Sequence, residues 1–297
     1  MLRSVKHRLE YIIVQGLFSL FRLLPERRAY GLGKGLGRLF FWMDRRHQKE
    51  TMDHLRFAFG LEKSDRELRS IAQRSYQHLG LSLAELARVM VFPPQRVMEW
   101  IRIEGLDHYI DAHKKGRGVL YLTAHLGNWE LMALAQSLQG YPINVVVRPV
   151  DNPLLERLLS RLRSRWGNRV VRKGGALREV LRLLKRGETV GFLLDQNVAI
   201  DQGVFVNFFG RSACTHKTLA LLALKTGAAV LPAFTFREEK NGHRIVVEPP
   251  VLLEETGNTE RDLVVNTQKF TSLIESYIRK HPDQWLWVHR RWKTQPK

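Results

Sequence analysis

The chain has 297 residues, a single cysteine, and 48 Lys and Arg against 29 Asp and Glu, a formal charge of +19 at pH 7. That length can bury a large core and suits one catalytic domain with an appended element better than two equal domains. Cys214 alone excludes an intrachain disulfide framework, no CxxC or CxxH cluster suggests a zinc site, and the cationic surplus implies a polyanionic partner: nucleic acid, anionic lipid or a phosphorylated substrate.

Residues 11–24 are mostly apolar but include Gln15 and Arg22, and the stretch is short against the ~20 residues needed to cross a bilayer. Arg3, Lys6 and Arg8 flank one end, Arg27 and Arg28 the other. An apolar face with basic flanks predicts a helix over 1–30 lying in an anionic membrane interface. A core helix and a cleaved signal are the rivals, although Gln15, Arg22 and the lack of an Ala-x-Ala site argue against the signal.

The alternating glycines of 31–37 do not make GxGxxG and follow no convincing strand, so close helix packing or membrane contact explains them better than a nucleotide. Ser64-Asp65-Arg66-Glu67 is a capping box, and Leu68, Ile71, Ser75, Leu79 and Leu83 continue at helical spacing. This helix should run to about Met90 and stop before Pro93-Pro94. Residues 31–100 therefore read as helical.

After Gly105 the pattern changes. Strand-like runs at 118–124, 143–148, 189–194, 228–236 and 243–248 alternate with helical patterns at 129–138, 153–166, 175–186, 216–225 and 260–280. That alternation predicts an α/β fold, a mostly parallel sheet flanked by helices, with the helical N-terminal region packed onto it. With no repeat and no low-complexity linker, 31–297 reads as a single α/β domain whose sheet-containing core is 105–297.

Gly118 to Leu122 is a buried strand and Leu131 to Ala135 a helix, so Thr123-Ala124-His125-Leu126-Gly127-Asn128-Trp129-Glu130 connects them. Gly127 and Asn128 supply turn and N-cap chemistry. His125 then stands at the carboxyl end of a strand, the edge where ligands bind in open α/β sheets. Glu130, in the first helical turn, can return to the imidazole and form a general base with its orienting partner. The plain alternative is a structural histidine and a glutamate that complements the helix dipole.

Downstream, Leu154, Leu155, Leu158, Leu159, Leu162 and Trp166 form an apolar helical stripe. Arg157, Arg161 and Arg165 make one edge, and Arg169, Arg172 and Lys173 extend the basic run. Arg163 falls on the border between stripe and polar face, placed to point into a cleft; a solvated face explains the other arginines. Asp195 ends the strand 189–194, as His125 ends its own, so the two can share a pocket; a turn or capping role is the alternative. Gln196 and Asn197 can donate to sugar or phosphate oxygens. No Gly-x-Ser-x-Gly elbow is present, and Cys214 lacks the signs of an activated thiol. The block Trp285 to Trp292 suits a core edge that also meets phosphate or membrane, or plain packing.

His-Leu-Gly-Asn-Trp-Glu resembles the HX4(D/E) motif of glycerolipid-type acyltransferases, in the form of the branch that adds secondary lauroyl or myristoyl chains to lipid A. Arg148-Pro-Val-Asp-Asn-Pro153, Gly191-Phe-Leu-Leu-Asp-Gln-Asn197, Phe208-Phe-Gly210 and Trp285 to Trp292 have counterparts in the same order, so the resemblance covers most of the chain. It implies an O-acyltransferase with His125 as base oriented by Glu130, and it adds weight to site roles for Arg163 and Asp195. The substrate-binding candidates are Arg163, Asp195, Asn128, Arg148 and Gln196. It further implies no cofactor or metal, an acyl carrier protein or coenzyme A thioester as donor, and a phosphorylated glycolipid acceptor. The expected location is the cytoplasmic face of a bacterial inner membrane, held by the N-terminal helix. An acyltransferase of another glycolipid or a lysophospholipid is the nearer alternative, and a basic nucleic-acid-binding protein the remoter one.

Overall fold

The computed structural model describes residues 2–172, 176–238 and 242–296, residues 2 and 3 by backbone alone. The Arg3 side chain and Lys173 therefore lie outside the described residues. Proline, with no N–H and a fixed φ, separates two helices at the start: α1 (Leu2–Leu23) and, after Pro25, α2 (Glu26–Met43). The stretch 1–30 is thus one helix and the beginning of another. Phe18 and Phe21 on α1 are buried, whereas Val5, Leu9, Ile12 and Ile13 face outward.

Helices α3 (Arg45–Phe59), α4 (Asp65–Val89) and α5 (Pro94–Trp100) complete the N-terminal third. The Ser64 capping box forms as expected: the Glu67 amide donates to Oγ of Ser64, and the Ser64 amide donates to Oε2 of Glu67 at 2.9 Å. Helix packing explains Gly33 and Gly37 of the alternating glycines, whereas a Cβ on Gly31 or Gly35 would meet nothing within 4 Å. A Cβ on Gly37 would stand 2.2 Å from the Tyr76 carbonyl of α4, and one on Gly33 2.8 Å from the Gly80 carbonyl. Only glycine lets these two backbones approach so closely.

The rest of the chain runs β1 (Ile101–Glu104), α6 (Leu106–Lys114), β2 (Val119–Thr123), α7 (Glu130–Leu138), β3 (Ile143–Val147), α8 (Pro153–Arg163), β4 (Arg169–Arg172), α9 (Ala176–Lys185), β5 (Thr189–Leu193), β6 (Gly203–Phe208), β7 (Arg211–His216), α10 (Thr218–Thr226), β8 (Ala229–Arg237), β9 (His243–Val247) and α11 (Thr259–Lys280). Seven strands form one sheet in the order β1-β9-β8-β2-β5-β3-β4, and all neighbours are parallel except β8 and β9. The mostly parallel sheet flanked by helices is the expected class.

Every residue of β2 is buried, as befits a central strand covered on both faces. One face packs against α7 and α8 through Tyr121, Ile143, Leu158 and Leu162; the other packs through Leu120, Val190, Val180 and Phe234 toward α9 and α11. Helix α4 contributes to both cores, Ile71 and Tyr76 to one and Leu81 and Ala84 to the other.

Four strands were not legible in advance. Edge strands β1 and β4 have four residues each and carry exposed arginines (Arg102, Arg169, Arg172), so they show no apolar run. The hairpin β6/β7 turns at Phe209 and Gly210, both at positive φ (54° and 78°). This is the conformation that Asn-Gly or Asp-Gly usually signals, here disguised by phenylalanine.

Candidate active site

In parallel strands that all point one way, the residues following β2 and β5 emerge at the same rim. His125 follows β2 and Asp195 follows β5, and the two adjacent strands bring them into contact across 70 residues of sequence. Asp195 Oδ1 lies 2.8 Å from Nδ1 of His125, and the His125 backbone amide donates to Oδ2 at 2.8 Å. A third donor, Nε1 of Trp285, reaches the same Oδ2 at 2.7 Å.

Burial pushes the Asp195 carboxyl up, but the adjacent His125 and these hydrogen bonds outweigh it and hold the pKa down to about 2. An ionised carboxylate only accepts, so Nδ1 of His125 carries a proton and Nε2 is the nitrogen turned away from Asp195. The Gln196 side-chain amide stands 3.3 Å from that Nε2. The imidazole is thus held in place by Asp195, with the Gln196 amide beside its free edge.

Glu130 is not the partner of the imidazole. As the first residue of α7 it lies beyond Trp129, whose ring packs edge-on against His125 at 4.9 Å between centroids. The Glu130 carboxylate instead accepts from Nε and Nη2 of Arg163 at 2.9 and 2.5 Å, a two-pronged pair with each side chain 13% exposed. Burial opposes the Arg163 charge, and the hydrogen bonds and charge of Glu130 more than offset it, so the guanidinium pKa is raised. The expected return of Glu130 to His125 is therefore corrected to an Asp195–His125 pair and a separate Glu130–Arg163 pair.

Asn128 also departs from expectation. It gives no side-chain cap to α7; its buried amide nitrogen donates to Glu85 Oε2 at 2.9 Å and lies 3.5 Å from the Ser82 carbonyl. Glu85 is itself gripped by Arg237, whose Nε and Nη2 each stand 2.6 Å from a carboxylate oxygen. Burial raises the Glu85 pKa, but Arg237 and His243 more than reverse that, so a charge persists inside the protein. Asn128 therefore fastens the turn to α4 and has no free donor for a ligand.

Gly127 at φ +59° completes the turn: a Cβ there would stand 2.2 Å from the Thr235 carbonyl. The segment after α11 clamps the turn from outside. Gly127 donates to the Gln284 carbonyl at 2.9 Å, and Leu286 donates to the His125 carbonyl at 3.1 Å.

The terminal aromatic block is rooted in the core at three positions, while Arg290 is exposed. Trp285 and Trp287 are buried, and Arg291 is fully enclosed, donating to the Cys214 carbonyl at 2.9 Å and to Thr215 Oγ1. Burial drives the Arg291 pKa down to about 10, only partly opposed by Asp195. His289 accepts at Nε2 from the Asn197 amide at 2.9 Å, which requires a neutral ring; burial takes its pKa down to about 4. Asn197 closes on Thr294 and so serves the scaffold. Cys214 is buried, with its thiol pushed up by burial, as an unreactive cysteine should be.

Arg148 lies at the rim just past β3, exposed and without a hydrogen-bond or ion-pair partner among the described residues. Between the rim and the sheet interior runs a narrow apolar pocket. Thr123, Leu193, Gly191, Ile143, Val145 and Val147 line its sheet side. Helix α7 supplies Met132, Ala133 and Leu134, and among the described residues Glu130 and Arg163 are the charged ones that line it. Sequence reasoning missed Trp285 as the second fixer of Asp195, and Glu85 and Arg237 as anchors of the turn. For Trp285 the signal was the aromatic block itself; for Glu85 it was a carboxylate inside the apolar stripe of α4.

The His125–Asp195 pair thus stands at the sheet rim beside an apolar slot whose lining includes the Glu130–Arg163 pair. The family model for bacterial lipid A biosynthesis acyltransferases matches residues 2–294. The chain belongs to that family. It is 30% identical over 285 residues to the lipid A biosynthesis lauroyltransferase of Escherichia coli K12, covering 95% of this chain and 90% of that protein. The palmitoleoyltransferase of the same organism is 29% identical over 95% of this chain and 90% of its own length. Its myristoyltransferase is 21% identical over 87% and 79%. The chain is accordingly an enzyme, an O-acyltransferase.

Proposed function

We propose that this acyltransferase moves a fatty acyl chain from a thioester of acyl carrier protein or coenzyme A to a hydroxyl of a phosphorylated lipid A precursor, at the cytoplasmic surface of the inner membrane. The observation that carries the reading is the His125–Asp195 pair, bonded through Nδ1, beside an apolar slot. His125 Nε2 takes the proton of the acceptor hydroxyl while Asp195 holds the ring and stabilises the imidazolium. The acceptor oxygen attacks the thioester carbon. As the tetrahedral intermediate collapses, the C–S bond breaks and the thiolate takes the proton back from His125.

Glu130 leaves the Nη1 hydrogens of Arg163 without a protein acceptor among the described residues, so they are available to the developing oxyanion. The acyl chain lies in the slot beneath. Arg148 on the same rim faces the acceptor phosphates, and Gln196 keeps its place at the imidazole.

Membrane contact rests on two helices rather than one. Val5, Leu9, Ile12 and Ile13 of α1 and Leu39, Phe40, Trp42 and Met43 of α2 are more than half exposed, far beyond what a helix facing water presents. Such exposed apolar faces suit helices lying in the interface; among the described residues no helix is long and apolar enough to cross a membrane.

The test is transfer by the purified full chain, in detergent, from lauroyl thioesters to a phosphorylated lipid A precursor or to a lysophospholipid. His125→Ala should lower turnover by about 10²–10⁴-fold with unchanged thermal unfolding. Undiminished turnover in that variant would refute the base assignment, and transfer to the lysophospholipid alone would replace the acceptor.

A further inference from the structure

Most buried glycines in this molecule have a visible reason. Gly127 and Gly118 sit at positive φ, and Gly33 and Gly37 have backbone where a Cβ would go. Gly191 has neither reason. It lies in the middle of β5, paired with Tyr121 of β2 and Val145 of β3, with no positive φ. A Cβ built on it would meet only Cγ2 of Ile143, at the ordinary contact distance of 3.5 Å. A glycine inside a strand is entropically costly and contributes no packing, so an unforced one marks a place where something else must come close.

That place is the inner end of the apolar slot. Successive strand residues alternate faces, so Thr189, Gly191 and Leu193 share the face toward α7 and α8, while Val190, Phe192 and Leu194 belong to the opposite core. Leu193 and Gly191 line the slot, and Thr189 does not. Past Gly191 the same face carries Thr189, and level with Gly191 on β2 stands Tyr121; neither lines the slot. Tyr121 is fully buried, with its hydroxyl 2.5 Å from Oε1 of Gln136 on α7, and Thr189 bonds the Tyr109 hydroxyl at 2.8 Å. The Tyr109 and Tyr121 rings stack behind, 5.6 Å apart. Hydrogen-bonded aromatic walls of this kind are stiff, whereas the space over Gly191 is set by one missing side chain. Measured along β5 from Asp195, Gly191 lies about 13 Å below the rim.

We infer that Gly191, with Ile143 beside it, sets the length of the acyl chain this enzyme accepts, by leaving open the last part of the slot above the Tyr121–Thr189 wall. The inference rests on the reading of the slot as the acyl site. The terminal methyl group of the preferred chain ends over Gly191, and each carbon added at that position removes room for one carbon of the donor.

The experiment compares wild type, Gly191→Ala and Gly191→Val with acyl thioesters graded from octanoyl to palmitoyl. It also measures binding of the matching free fatty acids by displacement of a fluorescent fatty acid. Gly191→Ala fits without a clash, so its thermal unfolding should equal or exceed that of wild type. Its preferred chain should shorten, with kcat/KM for the longest donor that wild type accepts falling at least about tenfold while shorter donors are unaffected. Gly191→Val should extend the shift. Fatty-acid affinities should follow the same order. An unchanged length profile in folded Gly191→Ala, or an equal loss for every length, overturns the inference. Graded fatty-acid binding that shortens in the variants, without transfer by wild type, would uphold the slot and refute the proposed reaction instead.

Discussion

Two carboxylates flank the same imidazole in sequence, and they end in different places. Glu130 is five residues away and pairs with Arg163 at the mouth of the slot; Asp195 is 70 residues away and holds Nδ1 of His125. The near one rides on a helix that leaves the rim, with Trp129 between it and the ring. The distant one sits on the adjacent parallel strand, and strand adjacency places ends side by side whatever the sequence separation. Distance along the chain decides which turn a residue belongs to, and the sheet decides which residue it meets. In the proposed reaction the two pairs divide the work: one holds the proton acceptor, the other places a guanidinium at the apolar slot.

The sharpest way to break this comparison is to neutralise each carboxylate in turn. Asp195→Asn should lower kcat by about 10²–10⁴-fold and change the acid limb of the pH–rate profile, because Nδ1 loses its charged acceptor. The same substitution has a stability signature. A carboxyl whose pKa is depressed to about 2 contributes stability above its unfolded pKa and loses it as pH falls through the folded one. Between roughly pH 5 and pH 2, wild type should therefore lose about 2 kcal/mol relative to Asp195→Asn, read from urea unfolding.

Glu130→Gln should act more mildly and differently. Losing a charged hydrogen-bond partner costs about 1.5–3 kcal/mol, so kcat/KM should fall by about ten- to a hundredfold with the acid limb unmoved. If the acid limb moved in Glu130→Gln and stayed in Asp195→Asn, the two roles would be reversed. The smallest effect is expected between the two pairs. Asn128→Ala should cost about 1–2 kcal/mol of unfolding free energy with Michaelis constants for both substrates unchanged, since its amide serves Glu85 and not a ligand. A raised acceptor KM in that variant would restore Asn128 to the substrate.

Much of this protein was legible from its residues. The buried runs of β2, β5 and β8, the capping box of α4 and the proline stops depend on local patterns, and each formed within a few residues of its expected place. His125 and Asp195 at strand ends, and Arg163 at the border of its helix stripe, were also found in sequence, because rim positions follow from where apolar runs stop. Tertiary structure alone decided the partnerships. Nothing local announced that Trp285 would reach Asp195, or that Glu85 and Arg237 would anchor Asn128. Such contacts join strands and helices far apart in the chain, and the energy of a hydrogen bond to a buried charge depends on the packed environment that encloses it. The sequence determined the elements and the chemical groups they carry. The order of strands in the sheet determined which carboxylate the imidazole meets, because only adjacency fixes distance to within a bond length.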